Sequence, residues 1–346
     1  MDTSTDDGSA PRRIAVIGVG RIGGMHAELI ARRVPGAALA AVHDVDAARA
    51  RDVGAVLGVP AAASVDELMA AADVDAIAIC SNTATHAELV VAAAQAGKAI
   101  FCEKPVSLDL AEVDRALDAV RQAGVPFQIG FNRRFDPAHA SVREAVASGA
   151  VGDPHLVRIS SRDPAPPPMG YVRSSGGIFL DMTIHDFDMA RFVAGAEVVE
   201  VFARGAVRVD PGFADAGDID TALIALEHAN GCLTAIDNSR RAAYGFDQRV
   251  EVFGSEGMAA SENPLSHSGV VRTAEGTRSP TLPYFYLERY VPSYIGQWQA
   301  FAGALAAGTA TRVGPEDARA PLVIGLAAGM SLRERRLVRI EEVDGR

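Results

Sequence analysis

The sequence has few cysteines, no long apolar run and no excess of basic residues. Its three cysteines, Cys80, Cys102 and Cys232, lie far apart and form no CxxC pair, which argues against a disulfide framework or a zinc site and favours a reducing cytoplasm. No apolar run reaches about 18 residues, so no transmembrane helix is expected. The net charge is -11, whereas nucleic acid and anionic membranes attract clustered Lys and Arg. These absences argue against two classes of partner but indicate no substrate.

The chain begins with MDTSTDDGSAPRR, which is acidic and lacks the apolar core of a signal peptide. We therefore expect residues 1–11 to form a disordered tail. The full 346 residues are enough for two domains and a large core.

The pattern of the chain changes near residue 150. Before it, five short apolar runs alternate with helical stretches, which predicts an α/β domain: a Rossmann-type, doubly wound parallel sheet over residues 12–130. After it, strands follow one another through turns, and Asn230-Gly231 is a strong hairpin signal. Residues 131–346 should form a second α/β domain with a large, mainly antiparallel open sheet. Its closing helices, near 292–308 and 315–336, can pack back on the first domain, and Pro321 should kink or split the second helix.

A glycine-rich turn follows the first apolar run. Gly18, Gly20 and Gly23 form a GxGxxG pattern between a predicted strand and a predicted helix. The first glycine permits the tight turn, the second lets a pyrophosphate approach the backbone, and the third lets the helix pack closely. A purely structural turn is the alternative. We interpret the pattern as a dinucleotide site that includes Arg21 and Ile22.

Asp44 ends the second predicted strand, about 20 residues after the glycines, where a carboxylate accepts hydrogen bonds from the adenosine ribose. It would repel a 2′-phosphate, and no arginine follows it directly, so NAD is expected rather than NADP. Asp44 could instead cap the next helix, but Asp46 could fill that role.

Other polar residues follow the apolar runs that end at Cys80 and Cys102, and they should lie at the ligand-binding edge of the sheet. Ligands of open α/β sheets lie beyond the carboxyl ends of the strands. The residues predicted at this edge, which complete the cofactor site, are Ser81, Asn82, His86, Glu103 and Lys104. The segment AIFCEKP could simply be the place where a strand ends. Because Lys104 would lie at the ligand-binding edge of the sheet, a functional role for it is favoured.

A polar stripe occurs in GGIFLDMTIHDFDMARF. On one continuous helix, Asp181, His185 and Asp188 would lie at about 0°, 40° and −20°, on one narrow face. The stripe could be a solvated face, a zinc or manganese site, or an acid–base site facing a polar substrate.

Taken together, these segments resemble the glucose-fructose oxidoreductase/inositol dehydrogenase family over nearly the whole chain. The resemblance rests on the glycine turn, on CEKP (102–105) and on DMTIHDFD (181–188). GFNRRFDP (130–137) and SRDPAPPP (161–168) resemble the NAD-dependent inositol dehydrogenases within it.

The resemblance implies a catalytic trio of Lys104, Asp181 and His185. It also implies a group of substrate-side residues: Arg133, Asp163, Asp188 and Tyr244. The implied reaction is oxidation of a ring alcohol of myo-inositol to the 2-keto-inositol, with hydride transfer to NAD. His185 would be the base, Lys104 would stabilise the reacting oxygen, and no metal would be required.

Two alternative functions remain at this stage. The same residues could oxidise another inositol isomer or a sugar polyol. A protein that senses NAD without catalysis is also conceivable, but it would be expected to have lost the lysine or the histidine. The resemblance implies a tetramer, and both faces of DIDTALIALE are partly apolar: Ile219, Leu223 and Ala225 on one, Ala222, Ile224 and Leu226 on the other. We therefore expect the second sheet to be covered by another subunit.

Overall fold

The computed structural model describes residues 10–345, and the tail expected at residues 1–11 lies almost entirely outside them. The described chain divides into two compact units, one of residues 10–132 and 294–319, the other of residues 133–293 and 320–345. Residues 294–319, from the closing helices, thus group with the first unit. None of the helices within residues 10–345 is long and apolar enough to cross a membrane.

The first unit contains a five-stranded parallel sheet in the order β2-β1-β3-β4-β5. Its strands are β1 (Arg12–Ile17), β2 (Ala37–His43), β3 (Ala76–Ile79), β4 (Ala99–Cys102) and β5 (Phe127–Ile129). Its helices are α1 (Arg21–Arg32), α2 (Ala47–Leu57), α3 (Val65–Ala70), α4 (Thr83–Gln95) and α5 (Leu110–Ala123). Every residue of β3 and β4 is buried, as expected for a sheet covered on both faces. The predicted doubly wound sheet is confirmed.

Polar side chains fix the starts of these helices. Asp46 accepts hydrogen bonds from the backbone of Ala48 and Arg49 and thereby caps α2, so the cap predicted for Asp46 is present. Ser64 caps α3 by accepting from the backbone N–H of Glu67. Each cap lies just beyond an apolar segment, which is why the sequence predicts where the helices begin.

The second unit contains a seven-stranded sheet in the order β11-β10-β6-β9-β8-β7-β14, with a separate two-stranded hairpin, β12-β13. The strands are β6 (Pro154–Arg162), β7 (Val198–Ala206), β8 (Thr221–His228), β9 (Leu233–Ser239), β10 (Asp247–Gly254), β11 (Met258–Ser261), β12 (Val271–Thr273), β13 (Gly276–Arg278) and β14 (Val338–Arg339). All pairs are antiparallel except β6 with β9. The predicted mainly antiparallel sheet is confirmed, and Gly231, with φ 81°, forms the predicted hairpin turn between β8 and β9.

The helices of this unit are mostly short. They are α6 (Pro137–Ala147), α7 (Met169–Val172), α8 (Gly177–Asp181), α9 (Ile184–Ala194), α10 (Gly212–Asp215), α11 (Tyr286–Arg289) and α14 (Glu341–Asp344). Residues Asn132–Phe135 form a 3-10 turn. The two closing helices, α12 (Val291–Ala307) and α13 (Pro315–Glu334), each contain residues of both units. Pro321 lies inside α13, so the split that its presence predicted does not occur.

One face of the large sheet carries the core of the second unit. Ala222, Ile224 and Leu226 of β8 are buried there, together with Phe187 of α9. The opposite face of β8 carries Leu223, which is 65% exposed. Along β8 the side chains therefore alternate between a packed face and an open one, as period-two geometry requires.

Candidate active site

The glycine turn of the first unit has the geometry that the sequence predicts. Gly18 has φ 85°, and a Cβ atom there would lie 2.5 Å from the Cα of Ser81. A Cβ on Gly23 would lie 1.8 Å from the carbonyl oxygen of Gly18. At Gly20, by contrast, no atom of the described residues lies within 4 Å of that position. Gly18 and Gly23 therefore allow close backbone packing, whereas Gly20 has open space where a Cβ atom would lie.

Helix α1 begins immediately after this open position. Gly20 is its N-cap residue and supplies no side-chain hydrogen bond to the first turn, which contains Arg21 and Ile22. The N–H groups of such a first turn form an anion site. A glycine with open space beside a 12-residue helix fits the pyrophosphate of a dinucleotide.

Asp44 follows β2, next to the glycine turn. Its Oδ2 accepts a hydrogen bond from the Val19 backbone N–H at 2.9 Å, and its Oδ1 accepts from the Asp46 N–H at 2.9 Å. Burial alone would raise its pKa, but the backbone hydrogen bonds and Arg49 outweigh burial and lower it. Asp44 is therefore anionic at neutral pH, as a ribose acceptor must be. The sequence analysis missed Arg49, whose Nη1 lies 3.3 Å from Oδ1.

The predicted residues after β3 have two different roles. Asn82 is exposed and caps α4 through the N–H of Ala84, and Ser81 Oγ lies 2.7 Å from Thr85 Oγ1. His86, however, is 2% exposed. Its Nδ1 lies 2.8 Å from the Pro105 carbonyl oxygen and its Nε2 lies 3.1 Å from that of Ser81. The ring of His86 therefore joins the loops after β3 and β4, and its contact with the cofactor stays a prediction.

Glu103, at the end of β4, is held by a chain of buried side chains. Trp298 Nε1 donates to His26 Nδ1 at 2.9 Å, and His26 Nε2 lies 2.8 Å from Glu103 Oε1. Since indole N–H can only donate, Nδ1 of His26 is the acceptor and Nε2–H donates to the carboxylate. The next residue, Lys104, is only partly buried. The sequence analysis missed His26 and Trp298, because they lie 272 residues apart in the chain.

The polar stripe of the second unit is not on one helix. Asp181 is the last residue of α8, whereas His185 and Asp188 belong to α9. Thr183 lies between the two helices, and its hydroxyl hydrogen bonds Asn238 Oδ1 at 2.6 Å. The expectation of one narrow helical face is therefore wrong: the chain turns at Met182 and Thr183, and each polar residue has its own surroundings.

Two of the predicted substrate-side residues are in buried ion pairs. Asp188 is 1% exposed, and Arg134 Nη2 donates to its Oδ1 at 2.6 Å. Arg133 Nη1 lies 2.6 Å from Oδ1 of Asp186, a buried residue that the sequence analysis missed. Burial raises the pKa of Asp186, although the ion pair with Arg133 opposes this effect. Arg133 and Asp188 are thus held by ion pairs, and their part in substrate binding stays a prediction.

The other two predicted substrate-side residues lie in separate clusters. Arg240 donates to Asp163 Oδ2 at 3.2 Å and to Asp181 Oδ2 at 2.8 Å, so the structure brings these carboxylates together. Tyr244 is 51% exposed, and its hydroxyl donates to Asp247 at 2.6 Å. His185 is half-buried in the first turn of α9. Within residues 10–345, no group of three or more acidic, histidine or cysteine side chains has the arrangement of a metal site.

Comparisons with known proteins extend over both units. The model of an oxidoreductase family with an NAD-binding Rossmann fold matches residues 12–131, and the GFO/IDH/MocA C-terminal domain matches residues 139–260. The myo-inositol 2-dehydrogenase of Thermotoga maritima is 49% identical over 334 residues, which cover 96% of this chain and 100% of the relative.

Solved structures agree with this match. The crystal structure of a probable dehydrogenase from Thermotoga maritima has a TM-score of 0.94 and 49% identity, and the match covers 96% of this chain and 99% of that one. The scyllo-inositol dehydrogenase of Lactobacillus casei, solved with NAD(H) and scyllo-inositol, has a TM-score of 0.89 and 29% identity, with 95% and 99% covered.

The contrast between the glycines gives a test of the cofactor site. We expect Gly20→Ala to fold normally, because its Cβ meets open space, but to lower NAD affinity at least about tenfold, equal to about 1.4 kcal/mol. Gly23→Ala should instead lower stability, since its Cβ would meet the Gly18 carbonyl oxygen at 1.8 Å. Titration calorimetry with NAD and urea unfolding separate the two effects. Unchanged NAD affinity in Gly20→Ala would contradict the pyrophosphate site.

The buried pair of Asp188 predicts a loss of stability. Asp188→Ala leaves the Arg134 guanidinium buried without this carboxylate, so the free energy of unfolding should fall by about 3–5 kcal/mol. Glu334→Ala is the control, because it removes an exposed carboxylate from Arg336 and should cost under about 1 kcal/mol. Urea unfolding measures both. Equal, small losses would mean that Asp188 has no structural role.

Proposed function

Because the chain belongs to the GFO/IDH/MocA oxidoreductase family, we propose that it is an NAD-dependent dehydrogenase that oxidises myo-inositol at a ring secondary alcohol to the 2-keto-inositol, scyllo-inosose. The observation that carries this proposal is the 49% identity to a myo-inositol 2-dehydrogenase over essentially the full length of both chains. At this identity the match includes both units, the cofactor-binding one and the one proposed to bind the polyol.

The first unit holds the cofactor in this proposal. The open face of Gly20 and the first turn of α1 take the pyrophosphate, and Asp44 takes the ribose hydroxyls. Ser81 and Asn82, and the Glu103–Lys104 segment, line the edge beyond β3 and β4. NAD, when bound, accepts the hydride released from the alcohol carbon. The residues present fit this group because the turn is open at Gly20 and Asp44 is anionic.

Three residues of the chain divide the work on the alcohol oxygen. His185 accepts the hydroxyl proton, a task that suits imidazole because its unperturbed pKa is about 6.5. Lys104 donates a hydrogen bond to the same oxygen and stabilises its developing negative charge. Asp181 is the orienting carboxylate, and its bonds to Tyr171 at 2.7 Å and to Arg240 at 2.8 Å support an ionised state.

The polyol side of the proposal depends on hydrogen-bonding groups rather than on an apolar pocket. Asp163 and Tyr244 contact ring hydroxyls, since both are partly exposed. Arg133 and Asp188 act indirectly. Their buried ion pairs with Asp186 and Arg134 fix the backbone around His185. A ring of hydroxyls requires such acceptors and donors, because each desolvated hydroxyl must find a partner.

A second substrate is favoured by one observation. The Lactobacillus casei structure, at a TM-score of 0.89, contains scyllo-inositol. This isomer differs from myo-inositol in the orientation of one hydroxyl group, so the same carboxylates could bind it. We therefore propose scyllo-inositol as the alternative substrate, with the same residues and the same cofactor.

The deciding experiment is NAD reduction, followed at about 340 nm, with a panel of inositol isomers and hexoses. We expect the highest kcat/KM with myo-inositol, and a clear preference for NAD over NADP because Asp44 repels a 2′-phosphate. The parallel NADP assay also tests whether Arg49 weakens that repulsion. A panel in which no inositol isomer is oxidised would overturn the proposed function.

His185→Gln tests the mechanism. Glutamine retains size and hydrogen bonding but cannot accept the proton, so kcat should fall by about 10²–10⁴-fold. NAD affinity should hardly change, because the cofactor residues belong to the first unit. His267→Gln is the matched control, since His267 is exposed and is given no role. A kcat within threefold of the parent, about 0.7 kcal/mol, would exclude His185 as the base.

We propose that the chain forms a homotetramer through the open face of the large sheet. Phe253, Leu156 and Leu233 are direct neighbours on β10, β6 and β9, and both Phe253 and Leu233 are 50% exposed. Leu223 extends this apolar face on β8. Ile219 does not belong to it, because it packs against the core.

The assembly is testable by light scattering. The parent should be an oligomer at micromolar concentration, and Leu233→Glu should dissociate it because a charge would be buried in the contact. Val56→Glu, which changes an equally apolar residue that is 70% exposed on α2, should leave the oligomer intact. A monomeric parent would contradict the proposed contact.

We also propose a cytoplasmic location. The three cysteines are buried and unpaired in the described chain, a state that a reducing compartment maintains.

A further inference from the structure

Arg240 is a buried arginine beside the proposed catalytic residues, and it has no role in the mechanism described above. It follows the last residue of β9, and its backbone N–H donates to the Asp220 carbonyl oxygen at 2.8 Å. Its side chain points inward, and the residue is 3% exposed. A guanidinium in such a place cannot be an ordinary surface charge, because burying it is costly unless carboxylates or other acceptors surround it.

The acceptors are two carboxylates from different elements. Nη1 of Arg240 donates to Oδ2 of Asp163, just after β6, and Nη2 donates to Oδ2 of Asp181, at the end of α8. The second oxygen of Asp181 accepts from Tyr171 at 2.7 Å. A planar guanidinium with fixed donor directions can hold two carboxylates at one spacing, which a flexible ammonium cannot do as well.

We propose that Arg240 is a positioning residue of the dehydrogenase site, which holds the carboxylates of Asp163 and Asp181 at a fixed separation and keeps both of them ionised. This inference rests on the proposed function, in which Asp181 orients the catalytic groups and Asp163 contacts the polyol. Arg240 itself touches neither the reacting atoms nor the cofactor in this scheme. It acts through its two partners.

The electrostatics of the cluster support this role. Burial, assisted by the neighbouring Asp181, raises the pKa of Asp163 above its ordinary value, and Arg240 is the main group that opposes this rise. Without Arg240, two like charges would share a poorly solvated site, and one carboxyl would take up a proton near neutral pH. Other charged or titratable groups also act on the cluster: Arg133 lowers the pKa of Asp163, Tyr171 hydrogen bonds Asp181, and Tyr286 in turn acts on Tyr171.

The test compares Arg240→Gln with the double variant Arg240→Gln/Asp163→Asn. In the single variant the acid limb of the kcat/KM–pH profile should move up by at least about one pH unit, because the carboxylate pKa rises when the cation is lost. In the double variant one of the repelling carboxylates is gone, so the limb should return towards the parent position. Arg240→Lys, which keeps the charge but not the fork, should raise KM with little change in the limb.

Urea unfolding between pH 4 and 7 gives a readout that needs no activity. A carboxyl whose folded pKa is raised above its unfolded value stabilises the protein only at low pH, and this contribution is lost as pH rises through the folded pKa. The unfolding midpoint of Arg240→Gln should therefore fall further below the parent at pH 7 than at pH 4. In the double variant the difference should be nearly constant. Arg336→Met also removes an arginine between two carboxylates, but at an exposed site. Since water screens its partners, its difference in unfolding midpoint between pH 7 and pH 4 should be much smaller than that of Arg240→Gln.

The outcomes separate this inference from the proposed function. A parent that oxidises no inositol isomer overturns the function, while the unfolding series still tests the ionised pair. An active parent whose Arg240→Gln variant loses kcat/KM by the same factor at every pH, with a destabilisation that does not change with pH, overturns the positioning role. If Arg240→Gln does not fold, the positioning role is tested by comparing the parent with the double variant and with Arg240→Lys. The role would then be refuted by an Arg240→Lys variant with unchanged KM together with a double variant whose acid limb is shifted by as much as about one pH unit.

Discussion

Three aspartates of the segment from α8 to α9 are each held by a different arginine, and the geometry of the second unit depends on these pairs. Asp181 binds Arg240, Asp186 binds Arg133, and Asp188 binds Arg134. A buried carboxylate without a partner would take up a proton or destabilise the fold. The arginines therefore compensate for the burial of these acids, with Arg240 binding Asp163 as well as Asp181, and together the pairs fix the segment that carries His185.

In the first unit a buried carboxyl group is also held by hydrogen-bond partners, but these partners are not arginines. There a carboxylate at the cofactor edge, Glu103, is held by neutral groups in sequence, from the indole of Trp298 through the imidazole of His26. The direction of the hydrogen bonds follows from the indole, which can only donate. The Glu103 carboxyl group is thus oriented by a hydrogen-bond chain from a distant tryptophan, whereas the aspartates of the second unit are oriented by arginines.

Sequence patterns predicted the parts of the molecule that depend on local rules. The five parallel strands were visible as apolar runs, and the hairpin at Gly231 and the cap at Asp46 follow from residue type. The glycine turn was predictable for the same reason, since only glycine tolerates the contacts at Gly18 and Gly23. In each case the determining neighbours are close in the chain or are backbone atoms.

The errors arose where the neighbour of a residue lies far away in the chain. A helical wheel placed Asp181, His185 and Asp188 on one face, but α8 ends at Asp181 and α9 begins at Ile184. Thr183, between them, bonds Asn238, which lies 55 residues away. Nothing in the local pattern distinguishes Asp186, which is buried against Arg133, from its neighbours. The partner residues Arg240, Arg133 and Arg134 lie on other elements of the unit. Which arginine pairs with which aspartate therefore depends on the folded structure and not on the local sequence.

This arrangement also explains why acids that look equivalent in the sequence differ chemically. Asp188 is 1% exposed and is bound through both of its oxygens by Arg134. Asp163 and Asp181 share one guanidinium, and their side chains are 23% and 11% exposed. A shared cation gives less compensation to each carboxylate than a dedicated one. The two acids that share Arg240 therefore have less electrostatic compensation than the acids with an arginine of their own, which agrees with the proposal that they serve the substrate site while the fully paired acids hold the protein around it.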